Sequence, residues 1–177
     1  HPRGSGQPAL TRPVLPRTAS EFTMLSGVCS LRPVPSAQQR THVKERCIVI
    51  PAIKKNAVIP DQLVKKLAGV TLVERAVNTA RGVLPGDDIV VLTDSQEIAL
   101  ICERAGVRHH WNKDLRFTSL DIVTEMRGLL KELAREYEHC MILRASCPLL
   151  TWVVVEAAWK RFREAQADSL VTLKSMR

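Results

Sequence analysis

Residues 47–73 read CIVIPAIKKNAVIPDQLVKKLAGVTLV, and their order decides the fold class. An apolar run, Ile48-Val49-Ile50, stops at Pro51, passes into a polar loop holding Lys54 and Lys55, and returns to a helical pattern after Gly69. Strand, long loop and helix in that succession open an α/β nucleotide-binding sheet, whose ligands gather at the carboxyl ends of the strands.

Working outward, the same alternation continues. Thr71 and Glu74 have capping-box spacing for a first helix with a buried face of Leu72, Val73, Ala76, Val77 and Ala80. Gly82 and Pro85-Gly86 end it, and residues 88–93 (DIVVLT) form a second strand. Ser95 caps a helix with Ile98, Ile101, Cys102 and Ala105 on one face, which stops at Gly106. A short strand at 107–111, a long helix at 119–136, a strand at 139–144, a helix capped by Thr151 and a strand at 169–173 complete the pattern. The expected fold is an open, mostly parallel, doubly wound α/β sheet with helices on both faces.

The 177 residues, 45% of them hydrophobic, suffice for one domain with a core, and no apolar run approaches membrane-spanning length. Five cysteines without a C-x-x-C pair point to reduced thiols and a cytoplasmic protein. The net charge is +8, of which residues 1–46 carry +5. The remaining excess suits anionic small substrates rather than nucleic acid, and 4% aromatic residues give little to stack on bases. Residues 1–45, which hold six of the ten prolines, are expected to be a disordered basic arm, and 46–177 the folded domain.

The 47–73 stretch resembles the opening motif of the acidic-sugar cytidylyltransferases, the CMP-sialic acid and CMP-Kdo synthetases. The shared frame is Ile50-Pro51-Ala52, Ile59-Pro60, Leu67-Ala68-Gly69 and Leu72-Val73. The polar positions depart from it: Ile53 stands where the family has its loop arginine, Ala57 or Val58 where it has a second basic residue, and Gln62 where it has a lysine. Further on, Thr93-Asp94 matches a strand-ending S-T-D segment, with Leu92 in place of the serine. Arg116 and Asp121 fall where the family contacts its acidic sugar, and Arg144 and Ser146 fall in the motif after the fourth strand. The likeness covers about residues 48–173.

The resemblance implies a nucleotide-sugar-transferase-like sheet and a nucleotidyltransferase that joins CMP from CTP to an acidic sugar for a surface glycan, with Mg²⁺ as cofactor and a possible homodimer. Lys54 and Lys55 would meet the phosphates; Ala52, Asn56, Gln62, Thr93 and Asp94 would line the nucleotide; Arg116, Asp121, Arg144 and Ser146 would hold the sugar acid. No residue is singled out as a metal ligand. Family enzymes continue past the last strand into a segment with a metal-binding Asp and dimer contacts, so the chain is expected to be incomplete as a member of the family.

Each residue also has a plainer reading. Lys54 and Lys55 can be a solvated basic loop, Asp94 and Asp121 ordinary helix-terminal acids, and Arg116 part of a helix entry. Loss of most polar motif residues leaves open a catalytically silent binding or scaffold protein. A glycosyltransferase on the same sheet would want an Asp-x-Asp motif, which the sequence lacks.

Overall fold

The computed structural model describes residues 27–30, 43–55, 59, 61–115 and 119–172. The apolar run of 47–73 sits in the strand β2 (Lys44–Ala52), in which Cys47, Ile48, Val49 and Ile50 are fully buried. A strand apolar on successive residues buries both faces, which only a sheet covered on both sides permits. It is also an interior strand: β5 (Ile89–Thr93) pairs with it in parallel on one edge and β7 (Tyr137–Ile142) on the other.

After β2 the chain makes a small hairpin from β3 (Lys66–Leu67) and β4 (Val70–Thr71). Ala68 and Gly69 turn it with φ of 51° and 84°, the two left-handed positions of a two-residue hairpin loop. Helix α1 (Leu72–Arg81) follows at once. Its capping box is complete: Thr71 Oγ1 accepts the Glu74 N–H at 3.2 Å, and Glu74 Oε2 accepts the Thr71 N–H at 2.9 Å. The helix buries Val73, Ala76, Val77 and Ala80, while Leu72 is only half-buried.

Helix α2 (Gln96–Ala105) leads from β5 to β6 (Arg108–Trp111), and α3 (Ser119–Leu133) leads back across the sheet to β7. Helix α4 (Trp152–Ala165) then reaches the last strand, β8 (Ser169–Val171). Apolar residues of α1, α2 and α4 cover one face of the sheet, around Ile48, Ile50 and Val91. Met126, Leu129 and Leu133 of α3 cover the other, around Cys47, Val49 and Leu92. The α/β sheet with helices on both faces stands as expected.

Ser95 and Thr151 take the N-cap positions of α2 and α4, but neither side chain makes a capping bond. The Ser95 N–H donates instead to Thr93 Oγ1 at 3.1 Å.

The arm needs a correction. Gly27–Ser30, placed by composition in a disordered segment, is the strand β1, antiparallel to β7 on one side and to β8 on the other. The strand order is β6-β5-β2-β7-β1-β8, so β1 fills the gap that the crossover through α4 leaves between β7 and β8. Four residues have little order of their own; here two neighbours satisfy the backbone and Val28 is buried. Gly27 permits the approach, since a Cβ there would lie 2.8 Å from the Leu170 carbonyl oxygen. The rest of 1–45 that precedes residue 43 lies outside the described residues.

Candidate functional site

The sheet order places the site. From β2 the chain moves outward to β5 and β6, then crosses back through α3 to β7 on the other side of β2. Strand order reverses between β2 and β7, and it is at the carboxyl ends beside such a reversal that open α/β sheets generally bind their ligands.

Three segments from the sequence reading converge on this edge. Ala52 ends β2 in register with Thr93, which ends β5. Leu143, just past β7, donates its N–H to the Val49 carbonyl at 2.9 Å and so brings Arg144 and Ser146 to the other flank of β2. Both of those residues are half-buried.

The loop after β2 is held by one carboxylate. Asp94 Oδ1 accepts the Lys54 N–H at 2.7 Å and Oδ2 accepts the Lys55 N–H at 3.2 Å. Asp94 is 6% exposed, so these bonds form largely out of water and its carboxylate is spent on shaping the loop. Ala52 and Thr93 are fully buried beneath it.

The two ammonium groups diverge. Lys54 Nζ donates to Glu97 Oε2 at 2.6 Å and lies 3.6 Å from Asp61 Oδ1. The Glu97 hydrogen bond, ahead of the opposing effect of burial, raises the Lys54 ammonium above its ordinary range and keeps it charged. Lys55 Nζ donates to the Lys113 carbonyl at 2.8 Å and is exposed. Gln62, half-buried, opens a single 3₁₀ turn beside them.

Asp121 lies in the first turn of α3, and its side chain is outside what is described. Asn56 and Arg116 also fall outside the described residues. Sequence reading missed Glu97 and Asp61 as partners of Lys54. Glu97 reads as a first-turn acid, and nothing local announces a lysine 43 residues away.

A second polar cluster lies on β6 and α3. His110 Nε2 is 2.8 Å from Glu125 Oε1, and Asn112 Nδ2 donates to the same oxygen at 3.1 Å. The His110 contact, then that of Asn112, holds the Glu125 carboxyl below its ordinary range. The Asn112 N–H also donates to the Thr93 carbonyl at 2.9 Å, which ties this cluster to the end of β5.

Among the described residues no group of three or more His, Cys, Asp or Glu is placed to hold a metal ion, and Asp94 is already engaged. No described helix is long and apolar enough to cross a membrane.

No protein-family model matches the chain. Over 83 residues, 47% of the chain, it is 34% identical to a 3-deoxy-manno-octulosonate cytidylyltransferase of Koribacter versatilis (strain Ellin345), covering 30% of that protein. It superposes with a TM-score of 0.55 on a CMP:2-keto-3-deoxy-manno-octonic acid synthetase solved in complex with CTP, at 17% identity over 70% of this chain and 49% of the other. A cytidylyltransferase from Leptospira borgpetersenii serovar Hardjo-bovis (strain JB197) gives a TM-score of 0.56 at 17% identity, over 70% of this chain and 51% of that one. The chain thus spans about half the length of these structures and 30% of the curated relative. The two structures share its fold, and the resemblance to acidic-sugar cytidylyltransferases read from the sequence is borne out.

Proposed function

We propose that this relative of the acidic-sugar cytidylyltransferases binds a nucleoside triphosphate, CTP in the first instance, at the carboxyl edge of β2, and transfers CMP to an acidic sugar. The observation that carries the reading is the pair of lysines fixed at the strand end beside the reversal of strand order, where a triphosphate needs cations before a nucleophile can approach its α-phosphorus. In the reaction the sugar hydroxyl oxygen forms a bond to the α-phosphorus as the bond to the pyrophosphate oxygen breaks, and the hydroxyl proton passes to solvent.

Lys54 and Lys55 would offset the phosphate charge as point cations, with less orienting power than an arginine fork. Arg144 and Ser146, across β2, would hold the sugar acid, and the proposal includes Arg116 and Asp121 in that role. Magnesium belongs to the proposal as an ion carried in on the triphosphate, and no step is assigned to it. A homodimer, the cytoplasm and a place in surface-glycan synthesis belong to it too.

The test is calorimetric titration of CTP, UTP, GTP and ATP, with and without Mg²⁺, into the wild type and the K54A/K55A variant. A charge-assisted hydrogen bond contributes about 1.5 to 3 kcal/mol, and both lysines remain partly hydrated, so the double variant should bind triphosphate about tenfold more weakly. Equal heats from both proteins would remove the lysines from the site. No heat from either would favour a second reading, a catalytically silent binding domain, which has its own support in the internal partners that already hold both ammonium groups.

A further inference from the structure

Lys54 is surrounded by anions of the chain itself. Glu97 comes from the first turn of α2 and Asp61 from the loop after β2, and their carboxylates reach the same ammonium at 2.6 and 3.6 Å. Asp61 does so with its backbone in the left-handed region, at φ 56°. The Lys54 backbone is fixed separately by buried Asp94, so the ammonium can change partner without the loop moving.

A carboxylate and a phosphate oxygen satisfy a lysine in the same way: each is an anionic acceptor within hydrogen-bond range. Glu97 is 56% exposed and Asp61 60%, which leaves both free to swing into water. We infer that Glu97 is an internal stand-in for a ligand phosphate on Lys54, so that a polyphosphate enters by exchanging with it and Glu97 sets the affinity of the site. Asp61, farther from the ammonium, is a secondary competitor. This rests on the reading of the β2 loop as a polyphosphate site.

The exchange has two consequences. Any ligand must give up the Lys54–Glu97 pair, which works against weakly charged anions more than against a triphosphate. Once displaced, Glu97 remains near the phosphates and repels them. Removing its charge therefore strengthens binding, whereas removing an ordinary surface carboxylate farther along α2 does not.

The experiment titrates CTP and, separately, inorganic pyrophosphate into the wild type, E97Q, K54A, K54A/E97Q and a charge control, E103Q, after thermal melting has verified that each is folded. E97Q should bind both ligands about two- to fivefold more tightly than wild type, the span that exposed ion pairs cover. The gain should vanish in the K54A background, and E103Q should match wild type. Wild-type binding with no gain in E97Q, or a gain that persists without Lys54 or appears equally in E103Q, would overturn the exchange while leaving the lysine site standing. No binding by any of the five would remove both the exchange and the functional reading beneath it.

Discussion

The Asp94 carboxylate, 6% exposed at the end of β5, accepts the backbone N–H of Lys54 at 2.7 Å. Its second oxygen takes the next N–H, that of Lys55, at 3.2 Å. Replacing Asp94 with Ala would strand these donors beside a buried edge. Hydrogen bonds to a charged acceptor contribute about 1.5 to 3 kcal/mol, and the loop can recover part of that from water, so D94A should cost about 1 to 3 kcal/mol in urea unfolding. D94N keeps one acceptor oxygen and should lose less. A D94A protein as stable as wild type would show that the loop does not depend on this carboxylate.

Ala68 holds φ 51° in the exposed turn between β3 and β4, ahead of Gly69. A non-glycine residue pays about 1 kcal/mol or more for that conformation, and Asn pays less than Ala. A68G gains from this but adds freedom to the unfolded chain, so A68N is the cleaner substitution. A68N should raise stability by about 0.5 to 1 kcal/mol, read as a higher urea midpoint at an unchanged slope.

Thr71 closes the capping box of α1 with Glu74 and is 7% exposed. T71A leaves the Glu74 N–H without its acceptor and should cost about 0.5 to 2 kcal/mol. T71S restores the hydroxyl and should recover most of it, which a loss due only to the missing methyl group would not allow.

Glu125 is tied to His110 and Asn112, which hold its carboxyl below the ordinary range. A group whose folded pKa is depressed contributes stability above its unfolded pKa and loses it as pH falls through the folded one. The wild type should therefore weaken as pH drops from about 5 through the lowered Glu125 value, on top of any general acid effect. E125Q should start less stable at pH 7 and fall less steeply over that window. Parallel curves for the two proteins, measured as urea midpoints against pH, would mean that the His110–Glu125 contact contributes nothing to folding.

Much of the sheet was legible because its signals are local. The run from Cys47 to Ile50 announces a strand buried on both faces, and Thr71 with Glu74 three residues on announces where α1 starts. The boundaries moved by a residue or two where register rather than propensity sets them: β7 begins at Tyr137, whose hydroxyl donates to Asp88 Oδ1 at 2.8 Å, a contact with the residue just before β5. Ser95 sits where a cap belongs, yet the hydroxyl that meets its N–H is Thr93's.

By itself the sequence determined the class of fold, the order of strands and helices from β2 onward apart from the small β3–β4 hairpin, and the loop whose lysines mark the candidate site, since each depends on periodicity, capping or turn residues within a few positions. Only the tertiary structure decided that β1 inserts between β7 and β8, that Asp94 braces the loop rather than facing outward, and that Lys54 is held by Glu97. Those are pairings between residues about 40 or more apart in the chain, and they exist because crossovers through helices bring the carboxyl ends of separate strands to one edge. The partner a charged side chain finds there depends on a few ångströms of packing, which no local pattern encodes.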